Sequence, residues 1–221
     1  ERLKRDNSYR ALRPANGVDF TSNDYLGLAR HPSLRDAILA ALDAEGVTGA
    51  GGSRLLRGNH PLHEALEARA AELFDSAGAL YFGSGYLANL ALFSSLPGRH
   101  DAVVFEERVH ASVKEGIHAA PAARHRARHN DVQSYADAIA RARAEGAKDV
   151  WIAVESLYSM DGDLAPLTEL AALAKDNDAA LIVDEAHATG MLGPGGRGLA
   201  QELPKENLIV VHTCGKALGM A

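Results

Sequence analysis

A single cysteine, Cys214, stands among 221 residues, so no internal disulfide framework holds the chain together, and its composition suits a reducing compartment. No run approaches the ~18 continuous apolar residues of a membrane span. The charged opening Glu1-Arg2-Leu3-Lys4-Arg5 has no apolar segment behind it that reads as a signal peptide, so the expected location is the cytoplasm. There is no positive excess either. A net charge of −6 gives no electrostatic argument for a nucleic acid or an anionic membrane as partner. The one basic cluster, Arg124-His125-Arg126-Ala127-Arg128-His129, is short and reads as a solvated strand or loop rather than a phosphate patch. Linkers, low-complexity segments and internal repeats are all missing.

What is present is a regular alternation. Residues 1–20 are polar and charged, with Pro14, Asn16 and Gly17 as turn formers, and read as an arm lying on a larger body. Pro32 and Ser33, with Asp36 three residues after the serine, predict a helix start. Leu34, Ala37, Ile38, Ala41 and Leu42 then share one face, and Gly46 ends it. This divides the chain into an arm and helix over 1–45 and a larger unit over 46–221. The glycines of Gly49-Ala50-Gly51-Gly52-Ser53-Arg54 make a loop, and Leu62, Ala65, Leu66, Ala70, Leu73 and Phe74 form the stripe of a second helix. From residue 79, short apolar runs at 79–82, 102–105, 150–154, 180–183 and 208–212 alternate with amphipathic segments. Strands alternating with helices predict an α/β fold with a mostly parallel sheet covered by helices on both faces.

The polar residues that interrupt this pattern all follow strands. Ser84, Gly85 and Tyr86 come after the first run, His110 after the second, Ser159 after the third, Asp184 and His187 after the fourth, Thr213 and Lys216 after the fifth. In open α/β sheets that edge is where ligands bind. Phe82-Gly83-Ser84-Gly85-Tyr86 opens a helix, so its free N–H groups make either a phosphate seat or a plain glycine turn. Asp184 with Lys216 is either a structural ion pair or a carboxylate and an amine serving one pyridine ring, the first on the ring nitrogen and the second as a Schiff base.

Seven segments carry a resemblance: 22–28 (SNDYLGL), 49–55 (GAGGSRL), 85–89 (GYLAN), 110–112 (HAS), 159–163 (SMDGD), 184–190 (DEAHATG) and 213–216 (TCGK). In that order and spacing the chain resembles the amino-terminal part and large domain of the pyridoxal-phosphate-dependent α-oxoamine synthases, enzymes of fold type I. The resemblance implies pyridoxal phosphate (PLP) as cofactor, carried by Lys216, which also moves the substrate's α-carbon proton. It implies Asp184 on the ring nitrogen and His110 stacked on the ring and bordering the substrate. His187 and Ser159 would reach the phenolic oxygen, and Gly85, Tyr86 and Thr213, with Ser84 in the same turn, the phosphate. Arg10 matches a position that meets the acyl substrate. The implied reaction joins L-alanine to a pimeloyl thioester of coenzyme A or acyl carrier protein with loss of CO2, in a homodimer. Glycine or serine with another acyl thioester is the alternative, and so is a non-catalytic cofactor-binding module. The family's chains are longer, so the sequence is expected to be a fragment that lacks the small carboxyl-terminal domain.

Other motifs fare worse. Asp184-Glu185-Ala186-His187 spells a helicase-type ATPase signature, but no phosphate-binding Gly-x-x-x-x-Gly-Lys-[Ser/Thr] loop precedes it. The glycines at 49–52 lack the apolar strand of a dinucleotide fingerprint. His60-Pro61-Leu62-His63 could start a zinc site but has no third ligand nearby. Cys214 reads as a small buried filler rather than a nucleophile.

Overall fold

A computed structural model describes residues 2–6, 9, 11–12 and 16–220. Helices and strands follow in the order α1 (Arg2–Arg5), α2 (Pro32–Glu45), α3 (Pro61–Leu73), α4 (Gly85–Ser95), β1 (Ala102–Glu106), α5 (Ala111–Ala119), β2 (Ala123–Ala127), α6 (Val132–Ala144), β3 (Val150–Glu155), α7 (Leu167–Asp176), β4 (Ala180–Asp184) and β5 (Leu208–Val211). The five strands form one sheet in the order β2-β1-β3-β4-β5, and every pairing is parallel.

The apolar strand runs exist because both faces of the sheet are covered. Ala102, Val104, Ile152, Val154, Leu181 and Val183 pack on one side with Tyr135, Ile139 and Ala142 of α6 and with Leu170 and Ala174 of α7. Their neighbours Val103, Ala153 and Ile182 pack on the other side with Phe93 of α4 and with Val113 and Ile117 of α5. Successive side chains point to opposite faces, so a strand buried on both sides is apolar at nearly every position, the exceptions here being the carboxylates at the strand ends. Each fully buried aliphatic side chain contributes about 1.5–3 kcal/mol by leaving water. Among the described residues no helix is long and apolar enough to cross a membrane.

Two local expectations are corrected, and one is met. Residues 79–82 are not a strand. Leu80 is 77% exposed and Tyr81 N–H is taken by Glu67 Oε1, so this apolar stretch has no strand partner among the described residues. The basic cluster supplies β2, an edge strand with Arg124 and Arg126 in solvent, which is the strand form of the solvated strand or loop expected there. His125 is buried, and His129 is wedged between Glu106 Oε1 at 2.9 Å and Asp163 Oδ2 at 2.5 Å. The cap of α2 is His31, whose ring accepts from Ser33 N–H, so Ser33 lies inside the helix. Gly46 does end it, in the left-handed conformation at φ 65°. The apolar stripes of α2 and α3 lie on real helices, yet neither helix has a buried residue. His60 and His63 form a reciprocal cap at the start of α3.

Helices α4 and α5 touch more closely than any side chain would permit. A Cβ on Gly116 would lie 2.8 Å from Phe93 Cβ and 3.0 Å from the Asn89 carbonyl oxygen. This approach seats the start of α5 beside α4, where the residues of the next section meet. Gly116→Ala should therefore lower the unfolding free energy by about 1–3 kcal/mol, the usual cost of overpacking. A urea midpoint equal to wild type would show that the two helices part freely.

Candidate active site

The order in which the chain adds strands reverses between β1 and β3, and the cavity opens beyond the carboxyl ends of the strands, where such a reversal leaves a crevice. Helix α4 starts because Ser84 caps it, with Oγ accepting from Leu87 N–H at 3.2 Å. The N–H groups of Gly85 and Tyr86 ahead of that bond have no protein acceptor among the described residues. Thr213, just past β5, stands over them, so that a Cβ on Gly85 would lie 3.6 Å from Thr213 Cβ. Thr213 Oγ1 accepts from Gly215 N–H at 3.2 Å, which leaves its own proton available to a ligand. Free helix N–H groups with an adjacent hydroxyl can seat a phosphate.

Two carboxyl groups lie side by side because β3 and β4 end in register, Glu155 opposite Asp184. Both are buried. Asp184 Oδ1 accepts from Ala186 N–H at 2.9 Å, and Oδ2 from Asn89 Nδ2 at 2.7 Å. Burial first, and then the Asp184 charge, push the Glu155 carboxyl up to about 7. The pair therefore need not hold two full charges at neutral pH.

Lys216 faces this pair from the loop after β5. Burial lowers its pKa from the ordinary lysine value, while Asp184 and Glu155 pull the other way. Its Nζ lies 2.9 Å from His187 Nε2. Burial, then Lys216 and His110, bring the His187 imidazole down to about 4, so it is neutral at physiological pH. An ammonium only donates, so Nε2 accepts and Nδ1–H points to Tyr25 Oη at 2.7 Å; Tyr25 in turn donates to Asn23 Oδ1 at 3.1 Å. His110 caps α5 through Nδ1, and its own pKa is held below the usual histidine value, mainly by burial and against the pull of Asp184.

Of the residues singled out in the sequence, Gly85, Tyr86, His110, Asp184, His187, Thr213 and Lys216 line one cavity of ≈ 210 Å³. Ser84 stands just outside it as the helix cap. Ser159 is exposed and lines an adjoining cavity of ≈ 300 Å³, joined to the first by His187 and walled by Tyr25, Leu157, Met191 and Leu192. The Ser159 loop is tied down from outside, by Asp163 on His129 and by Asp161 on Arg108 at 2.6 Å. Arg10 lies outside the described residues. Cys214 is exposed, not a buried filler. Sequence reasoning missed four participants: Asn89, Ser112, Glu155 and Tyr25. Asn89, Ser112 and Tyr25 lie in the segments 85–89, 110–112 and 22–28 that carry the resemblance, but nothing in the sequence assigned them a role; Glu155 lies in none of them.

Comparison with known proteins agrees with this geometry. Residues 15–221 match the family described as aminotransferase class I and II, and the chain belongs to that family, whose cofactor is PLP. Within it, the chain is 47% identical over 206 residues to 8-amino-7-oxononanoate synthase from Anaeromyxobacter sp. (strain Fw109-5), covering 92% of this chain and 51% of that protein. Among solved structures it is similar to the Sphingomonas wittichii serine palmitoyltransferase, with a TM-score of 0.84 and 35% identity over 90% of this chain and 50% of the other. A serine palmitoyltransferase from S. paucimobilis, solved with a bound PLP–myriocin aldimine, gives a TM-score of 0.83 and 34% identity, with the same coverage. The chain spans about half the length of the curated relatives it matches.

The neutral His187 has a consequence for acid stability. The unfolded chain binds a proton there near the ordinary histidine value of 6.5, the folded chain only near 4, so stability falls as the pH drops through that window. The full contribution is about 3 kcal/mol at the low end. An NMR titration of the His187 ring should show a midpoint near 4; a midpoint at or above the ordinary histidine value would contradict the assigned burial.

Proposed function

We propose that this chain is the cofactor-bearing part of an enzyme that condenses L-alanine with a pimeloyl thioester, on coenzyme A or acyl carrier protein. CO2 and the free thiol carrier leave, and the product is 8-amino-7-oxononanoate for biotin synthesis. The supporting observation is one cavity that gathers a half-buried amine, a buried carboxyl group, a neutral imidazole and free helix N–H groups. That donor set fits PLP: Gly85 and Tyr86 N–H with the Thr213 hydroxyl for the phosphate, Asp184 for the ring nitrogen, Lys216 for the aldehyde. When bound, PLP supplies an electron-poor ring that draws density from the amino acid's α-carbon.

The remaining work belongs to the chain's own residues. Asp184 would keep a proton on the ring nitrogen, and its two fixed donors hold the carboxylate in place. Lys216 Nζ, moved by burial toward the neutral amine, would tether the cofactor and, once released by the amino acid, would carry the α-carbon proton. His110 would orient the ring, and His187 and Ser159 would serve the phenolic oxygen. The adjoining cavity, with Leu157, Met191 and Leu192 on its wall, suits the methylene chain of the acyl group. Arg10 belongs to the acyl site by resemblance. A second copy completes the enzyme, in keeping with the exposed apolar side chains of Phe20, Leu55 and Leu56. The likeness to serine palmitoyltransferases favours a second reading, with serine as the amino acid; the higher identity lies with 8-amino-7-oxononanoate synthase.

Titrating the PLP-loaded full chain with alanine, glycine and serine separates these readings. Alanine should change the visible absorbance at the lowest concentration, and serine acting first would transfer the assignment. Asp184→Asn should fold normally and lose about 10²–10³-fold in turnover, the size expected for one preorganised electrostatic partner. Turnover near wild type would remove Asp184 from the chemistry.

A further inference from the structure

One buried side chain joins the carboxylate and imidazole sides of the site. Asn89, on α4 and 2% exposed, places Nδ2 2.7 Å from Asp184 Oδ2 and 3.1 Å from Ser112 Oγ. Ser112 Oγ, itself fully buried, lies 2.8 Å from His110 Nδ1, and Ser112 N–H reaches the same nitrogen at 3.2 Å. The proton on every link can be assigned. The Asp184 carboxylate accepts, so the amide NH2 faces it with one hydrogen and spends the other on Ser112 Oγ. That hydroxyl, already an acceptor, turns its own proton to His110 Nδ1, and His110 carries its proton on Nε2.

We infer that Asn89 is a positioning residue that ties Asp184 and His110 into one hydrogen-bonded unit, so that carboxylate and ring-stacking imidazole keep a fixed relation. The inference rests on the reading of this cavity as the PLP site. Neither an apolar nor an acidic side chain of the same size would serve. A leucine would strand Asp184 Oδ2 and Ser112 Oγ, and an ionised aspartate would set a like charge against Asp184. The arrangement has a cost that a packing residue would not carry, because Asn89 Oδ1 is buried without a partner. The network is held from both ends: Ala186 N–H fixes the other oxygen of Asp184, and the close approach of Gly116 to Asn89 fixes the two helices. The other charged or titratable groups facing it are Glu155, Lys216 and, near His110, Lys114, His187 and Tyr86.

The test uses Asn89→Ala, Ser112→Ala and the double variant in the full chain. In cofactor-free protein, ¹⁵N NMR should show wild-type His110 with Nδ1 as acceptor and the proton on Nε2. Each single variant removes support for the neutral ring, so the His110 titration midpoint should rise by about half a unit or more, and the two shifts should not add. After PLP loading, Asn89→Ala should also move the pH midpoint of the visible absorbance and lower kcat more than it raises KM for the amino acid. Additive shifts, or a loss of thermal stability with the His110 midpoint unchanged, would overturn the inference; Ser112→Ala keeps it falsifiable if Asn89→Ala does not fold. A coupled His110 response in protein that forms no visible band with PLP would leave the network standing and refute the PLP reading alone.

Discussion

Asp184 is held out of water at the end of β4, and much of the surrounding structure follows from keeping a carboxyl group there. Burial of a charge is unfavourable unless donors replace the lost water. Here one backbone N–H and one amide supply both oxygens, and Lys216 faces the group from the next loop. Glu155, alongside it in the sheet, is pushed toward its protonated form, so the cavity is not overloaded with negative charge. The same low-polarity surroundings shift Lys216 and His187 toward their neutral forms. One environment thus prepares an amine and an imidazole that in water would carry more charge.

The scaffold meets this demand through parallel pairing. Register between β3, β4 and β5 sets Glu155, Asp184 and Val211 in a row, and the loops that follow deliver His187 and Lys216 to the same opening. On the other side of the site, the contact of α4 with α5 presents the free N–H groups of one helix and the His110 cap of the other. A separate cluster secures the outer wall. His129 sits between Glu106 and Asp163, and although burial opposes its charge, the two carboxylates outweigh it and raise its pKa. It holds the 159–163 loop, and with it Ser159, against the body of the sheet.

Much of this was legible in the residues. The apolar runs that became β1, β3 and β4 are buried on both faces, and β5 is partly buried on both, which favours apolar side chains at successive positions. Strand β2 was legible only as a solvated strand or loop, since an edge strand with arginines on its outer face shares the composition of a loop. Residues 79–82 failed in the opposite way: their composition fits a strand, but a strand is defined by its partner. The site residues that follow strands could be read because position along a strand is a sequence property. Asn89 and Ser112 could not, because their role depends on two helices 23 residues apart meeting at Gly116. Tyr25 reaches His187 across 162 residues, a separation that no local pattern encodes.

The central claim concerns one amine, Lys216 Nζ. Borohydride reduction of the PLP-loaded full chain, followed by peptide mapping, tests it directly. The pyridoxyl label should appear on Lys216 and nowhere else. A label on another lysine, or none at all, would contradict the account.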